Sequence, residues 1–149
     1  MPDNGHKGNA TMQLNSPLAS PSAPPAPKHL ARDAYAVILA SGPEDGGKRA
    51  TLALAAACTA QAMDLDTIVF LLGDGAHWAY DGHAEQVHAP GFPALADLID
   101  LFVEAGGQLL LCSACDGTCA LPSARRRDVH VSGLATLLSH TVGGSAVTF

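Results

Sequence analysis

The sequence predicts an α/β fold: a three-layer α/β/α sandwich around a parallel five-stranded sheet, in a single domain. Two observations carry this. Short, near-continuous apolar runs alternate with longer Ala/Leu-rich or helically spaced segments, the pattern of strands buried on both faces and linked by helices. The chain has 149 residues, 48% of them hydrophobic and 5% aromatic, which suits one domain with a core of Ala, Leu, Val and Ile.

Residues 1–33 read as a disordered Pro/Ala/Ser-rich tail, since Ser16–Pro27 holds too little apolar surface to build a core. The ordered domain is expected over residues 34–149. Tyr35–Ala40 is a buried strand that ends in Ser41-Gly42-Pro43. Lys48–Met63 is Ala/Leu-rich and long enough for a four-turn helix. Thr67–Leu72 is the second strand, closed by Gly73-Asp74-Gly75. A long loop follows over residues 76–91, with His77, Trp78, Tyr80, His83 and His88, and loops of this length are often functional. Phe92–Ala105 carries apolar residues at helical spacing (Leu95, Leu98, Ile99, Phe102, Val103) and stops at Gly106-Gly107. Gln108–Leu111 is the third strand and delivers Cys112. Residues 120–128 read as a short helix or turn broken by Pro122. Val129–Val131 is a strand, Gly133–Thr141 a helix, and Ser145–Phe149 the last strand. Ligands of open parallel sheets gather at the C-terminal ends of the strands. Three segments therefore share one rim: residues 41–47, 73–91 and 112–119.

The net charge of -6 leaves no basic excess to neutralise phosphates, so no nucleic-acid partner is expected. No signal peptide is visible and no apolar run approaches the length of a membrane span. The expected location is the cytoplasm, with no membrane partner. In that reducing compartment clustered cysteines are catalytic, redox-active or metal-binding more often than structural.

Four features compete for the chemistry. Gly42–Arg49 follows a strand and opens a helix, in the form G-x-x-x-x-G-K. A phosphate loop needs Ser or Thr where Arg49 stands, and Glu44 and Asp45 would repel phosphate. It reads instead as a helix N-terminus with acids near the positive end of the dipole. The histidines His77, His83 and His88 have spacings that match no standard zinc pattern, so they read as a solvated loop. Cys58, inside the Ala-rich helix, behaves as a small hydrophobe.

The fourth feature is Cys112, Cys115 and Cys119, three of the four cysteines, at the third strand's end. A turn or helix after Cys112 would aim backbone N–H groups at its sulfur and stabilise the nucleophilic thiolate. Cys115, in a C-x-x-C relation, can resolve or carry a second sulfur. Ser41, His77 and Arg125 are candidate rim residues. The residues alone leave three chemistries open: sulfur transfer through a persulfide, dithiol–disulfide exchange, and metal or cluster binding by C-x-x-C-x-x-x-C. The last lacks a fourth cysteine at ligand spacing.

Three places in the ordered part resemble the DsrE/DsrF-like family of small sulfur-relay proteins. They are Val37–Asp45 with the helix that follows, Cys112-Ser113-Ala114-Cys115, and Val131–Leu134 with the closing Ala146–Phe149. The resemblance implies the same sandwich fold, assembly into homotrimers or hexamers, and a cysteine that accepts and passes on sulfane sulfur. Cys112 matches that cysteine, and Cys115 matches the second cysteine of the C-x-x-C subset. The implied function is a sulfur carrier or sulfurtransferase with a persulfide on Cys112, assisted by Cys115. It needs no cofactor, and its partners are sulfur-donor and sulfur-acceptor proteins. The alternative is a metal- or cluster-binding or thiol-redox module that also uses Cys119. One departure stands out: Asp116-Gly117-Thr118-Cys119 intervenes where the family runs straight into a helix with A-R-G, and the arginines come only at Arg125–Arg127.

Overall fold

The five apolar runs form five strands: β1 (Ala34–Leu39), β2 (Asp66–Leu71), β3 (Gln108–Cys112), β4 (Val129–Ser132) and β5 (Ser145–Thr148). Among the described residues three α-helices link them: α1 (Lys48–Ala62), α2 (Leu95–Glu104) and α3 (Leu134–Thr141). The structure, a computed structural model, describes residues 33–117 and 122–149. The Pro/Ala/Ser-rich segment and Cys119 lie outside the described residues.

All strand pairs are parallel, in the order β4-β3-β2-β1-β5. The central strands are the most buried, with Thr67 to Leu71 of β2 and Leu109 to Cys112 of β3 all in the interior. The edge strands β4 and β5 are shorter and largely exposed, which is why their runs in the sequence are brief.

The two-residue period of the strands divides the core. Val37, Leu39, Val69, Leu71, Leu109 and Leu111 face α1 and α2. There Ala50, Ala53, Leu54 and Ala57 of α1 and Leu95, Leu98, Ile99 and Phe102 of α2 cover them. The alanines bring α1 close to the sheet. Each Leu or Phe buried here contributes on the order of 1.5–3 kcal/mol. Ala36, Ile68, Phe70, Leu110 and Cys112 point the other way and meet Leu137 of α3. Helices on both faces make the three layers.

Three differences from the sequence reading have local causes. Helix α2 starts at Leu95 rather than Phe92, because a residue before proline, here Phe92 before Pro93, is steered off helical backbone. The long loop is not a solvated excursion: Gly73–Ala79 and Ala84–Gln86 are short 3-10 helices. Trp78, only 1% exposed, anchors it by donating from Nε1 to the Ser41 carbonyl at 2.9 Å. The described part of residues 120–128 contains no helix. Its backbone pairs instead with the end of the 3-10 segment, through Asp81 N–H to Ala124 O and Arg126 N–H to Ala79 O, both at 2.9 Å. Tyr80 and Arg125 form an antiparallel bridge between these bonds.

Gly75 allows the 3-10 segment to lie against the end of β1. A Cβ there would run into the Leu39 carbonyl, a backbone group that cannot move aside cheaply. Gly75→Ala is expected to lower the unfolding free energy by about 1–3 kcal/mol, the range for overpacking. Urea titration of the two proteins checks this, and an unchanged midpoint would contradict it.

Candidate functional site

Cys112 is the last residue of β3. It pairs with Ser132 of β4 and is 4% exposed, among Phe70, Leu110 and Leu137. The chain then folds back at once. The Cys112 carbonyl accepts the N–H groups of both Cys115 (2.9 Å) and Asp116 (3.0 Å). This tight turn returns Cys115 to the strand end, where it is half-buried and packs against both core clusters. Its Sγ accepts the Gly73 N–H at 3.2 Å. Gly73 has φ +55° where the chain leaves β2, a left-handed conformation that glycine adopts without a Cβ clash. The ends of β2 and β3 are thus joined through a sulfur.

The sequence reading expected backbone donors at Cys112. The backbone donor instead meets Cys115, and Cys112 is the more buried of the two. Both cysteines lie at the C-terminal end of β3, Cys112 inside it and Cys115 in the turn beyond.

The turn is held from its far side as well. Tyr80, 7% exposed, donates its hydroxyl to Asp116 Oδ1 and accepts the Gly117 N–H, each at 3.2 Å. Arg125 Nη1 donates to Asp116 Oδ2 at 3.0 Å. Arg125 therefore does reach the cysteine turn, through Asp116. The neighbouring Arg126 turns inward to a different acidic set, Glu85, Asp100 and Asp128. The basic run is split between two ion-pair groups rather than forming one anion site.

Ser41 is 6% exposed and its hydroxyl has no hydrogen-bond partner among the described residues. His77 stacks edge-on against Trp78 and against His83, with ring centroids 4.9 and 4.2 Å away. His83 in turn meets the Ser123 hydroxyl at 3.4 Å, whereas His88 is exposed. Among the described residues no three His, Cys, Asp or Glu side chains converge as a metal site would require. Burial pushes the Cys58 thiol up, and its Sγ donates to Leu98 O at 3.5 Å, in keeping with a packing role. At the start of α1 the Asp45 carboxylate accepts the N–H groups of Gly47, Lys48 and Arg49 at 3.0–3.1 Å. The protein's own carboxylate thus occupies the place a phosphate would take.

Sequence reasoning did not single out Gly73 or Tyr80. Both lie in segments it placed at the rim, but their use depends on contacts across more than thirty-five positions of chain. No local spacing encodes such contacts.

A parallel α/β/α sandwich that presents a C-x-x-C pair at the end of its third strand is the architecture of a small thiol-bearing α/β protein. The family model described as "DsrE/DsrF-like family" matches residues 33–144, and the chain belongs to that family. Among solved structures it is similar to the YchN protein from E. coli, with a TM-score of 0.59 and 18% identity. That match covers 78% of this chain and 99% of the other and shows the shared fold. No curated protein matches the chain.

The start of α1 and the histidine pair can each be tested. Magnesium-ATP at millimolar concentration should leave the melting temperature unchanged, and an upward shift would contradict the occupied helix N-terminus. Burial pushes the His77 imidazole below its ordinary value; His83 adds to this and Glu44 opposes it. The unfolded chain then binds the proton first, so stability falls as pH drops below about 6.5, the ordinary imidazole value. Urea midpoints at pH 7.5 and 5.5 should differ less in His77→Gln than in the parent, and equal differences would exclude His77 as a contributor.

Proposed function

We propose that this protein relays sulfane sulfur, holding it as a persulfide on Cys112 with Cys115 as the thiol that exchanges with donors and acceptors. The observation that carries the reading is the unequal pair. Cys115 is half-buried with the Gly73 N–H on its sulfur, and Cys112, at the strand end three residues earlier, is buried. Family membership supports sulfur relay as the chemistry.

Each step moves one neutral sulfur atom and needs no outside oxidant or reductant. The Cys115 thiolate attacks the terminal sulfur of a donor persulfide. The donor's S–S bond breaks and the donor leaves as a thiolate. The Cys112 thiol, having lost its proton to solvent, then attacks the terminal sulfur of the Cys115 persulfide. This forms the Cys112 persulfide and returns Cys115 as a thiolate. Delivery to an acceptor thiol runs the sequence backwards, so the protein would act as a sulfurtransferase between two partners. The interior around Cys112 protects the loaded sulfur from small thiols, which would otherwise release it as hydrosulfide.

Reactive thiols suit a reducing compartment, so we place the protein in the cytoplasm. Among the described residues no helix is long and apolar enough to cross a membrane. A homotrimer or hexamer is part of the proposal. Leu134, Leu138 and Val142, exposed at four-residue spacing along and just beyond α3, give it an apolar stripe to bury.

Incubation with a sulfane-sulfur donor should add about 32 mass units per loaded cysteine, the mass of one sulfur. Cys115→Ser should load slowly, and Cys112→Ser should load but lose its sulfur quickly to added thiol. A double variant Cys112→Ser/Cys115→Ser that still gains the adduct would overturn the proposal.

A further inference from the structure

The Asp116-Gly117 step and the arginine run, where the chain departs from its family's pattern, are not used by the relay described above. Asp116 directly follows Cys115 and spends both carboxylate oxygens on one job. Oδ1 takes the hydroxyl of Tyr80, and Oδ2 takes the guanidinium of Arg125. The same Tyr80 hydroxyl accepts the Gly117 N–H, so one phenol grips two consecutive residues of the turn. Tyr80 and Arg125 are themselves bridged through their backbones, with flanking bonds at Asp81–Ala124 and Arg126–Ala79. The clasp is therefore fixed to the frame, and the turn is fixed to the clasp.

The turn it holds is the one folded over Cys112. The Cys115 and Asp116 N–H groups both end on the Cys112 carbonyl, and Cys115 packs in the same cluster as the Cys112 side chain. The Cys112 side chain is 4% exposed, and Cys115 of this turn is part of its cover. We propose that Tyr80, Asp116 and Arg125 form a latch that sets how often Cys112 opens to an incoming sulfur, acting as positioning residues on the cysteine turn. The two arms differ. The Tyr80 arm comes from a buried side chain, 7% exposed, and makes two bonds of 3.2 Å. The Arg125 arm is part-exposed, with Arg125 and Asp116 side chains 41% and 33% accessible. It is therefore weakened by salt and replaceable by another cation. A docking partner that offers its own charge to Asp116 or Arg125 would release that arm first.

For sulfur relay, which this inference takes as its setting, the latch separates loading of Cys115 from transfer to Cys112. The test reads access alone: iodoacetamide labelling of the native full chain, with peptide mass spectrometry resolving Cys58, Cys112 and Cys115. Tyr80→Phe, which removes both hydrogen bonds of the phenol, or Asp116→Asn, which weakens the carboxylate's hold, should speed Cys112 labelling about tenfold or more, while Cys58 keeps its parent rate. Arg125→Gln should speed it by roughly threefold and Arg125→Lys restore the parent rate, as an exposed ion pair would. Global loosening would instead raise Cys58 and Cys112 together. That parallel rise, or a Cys112 rate unmoved in all variants, would overturn the latch. If Tyr80→Phe does not fold, the Arg125 pair decides. Labelling does not depend on sulfur chemistry, so the latch and the persulfide reading can fail separately.

Discussion

The strand period decides where this protein keeps its sulfurs. Along β3, Leu109 and Leu111 face the side covered by α1 and α2, so Leu110 and Cys112 face the side of α3. A shift of register by one residue would send Cys112 into the thicker core layer. In the observed register its sulfur is buried at the last rung of the sheet, one turn from the rim. Every other feature of the site follows from that placement. The turn must double back to bring Cys115 to the strand end, and the loop after β2 must approach closely enough for Gly73 to meet its sulfur. The segment around Arg125 then braces the turn from the outside.

The fold was legible because its signals are local or periodic. The continuous apolar runs of β2 and β3 require cover on both faces, and the Ala-rich α1 allows close packing against the sheet. The third strand and its cysteine were placed from Leu109-Leu110-Leu111-Cys112 alone. The loop after β2 was harder to read. Its histidines and glycines suggest solvent, yet Trp78 pins it to Ser41 and Tyr80 is buried beneath the cysteine turn. A lone aromatic in a polar segment does not reveal which distant group it will meet.

The site was legible in its position and not in its division of labour. The C-x-x-C spacing identified a thiol pair, but exposure and hydrogen bonding are properties of the folded turn. Cys112 could not be known from sequence to lie at 4% exposure, nor Cys115 to face a backbone donor from another strand. Arg125 was read as one member of a basic run. It parts from Arg126 because the antiparallel bridge with Tyr80 sends successive side chains to opposite sides.

The central claim is that sulfur moves from the outer thiol to the inner one. A rapid-quench time course with a sulfane-sulfur donor, followed by alkylation and fragment mapping of the persulfide, tests it directly. The account predicts a persulfide that appears first on Cys115 and then gives way to one on Cys112. A persulfide confined to Cys58, or none on either member of the pair at any time, would contradict it.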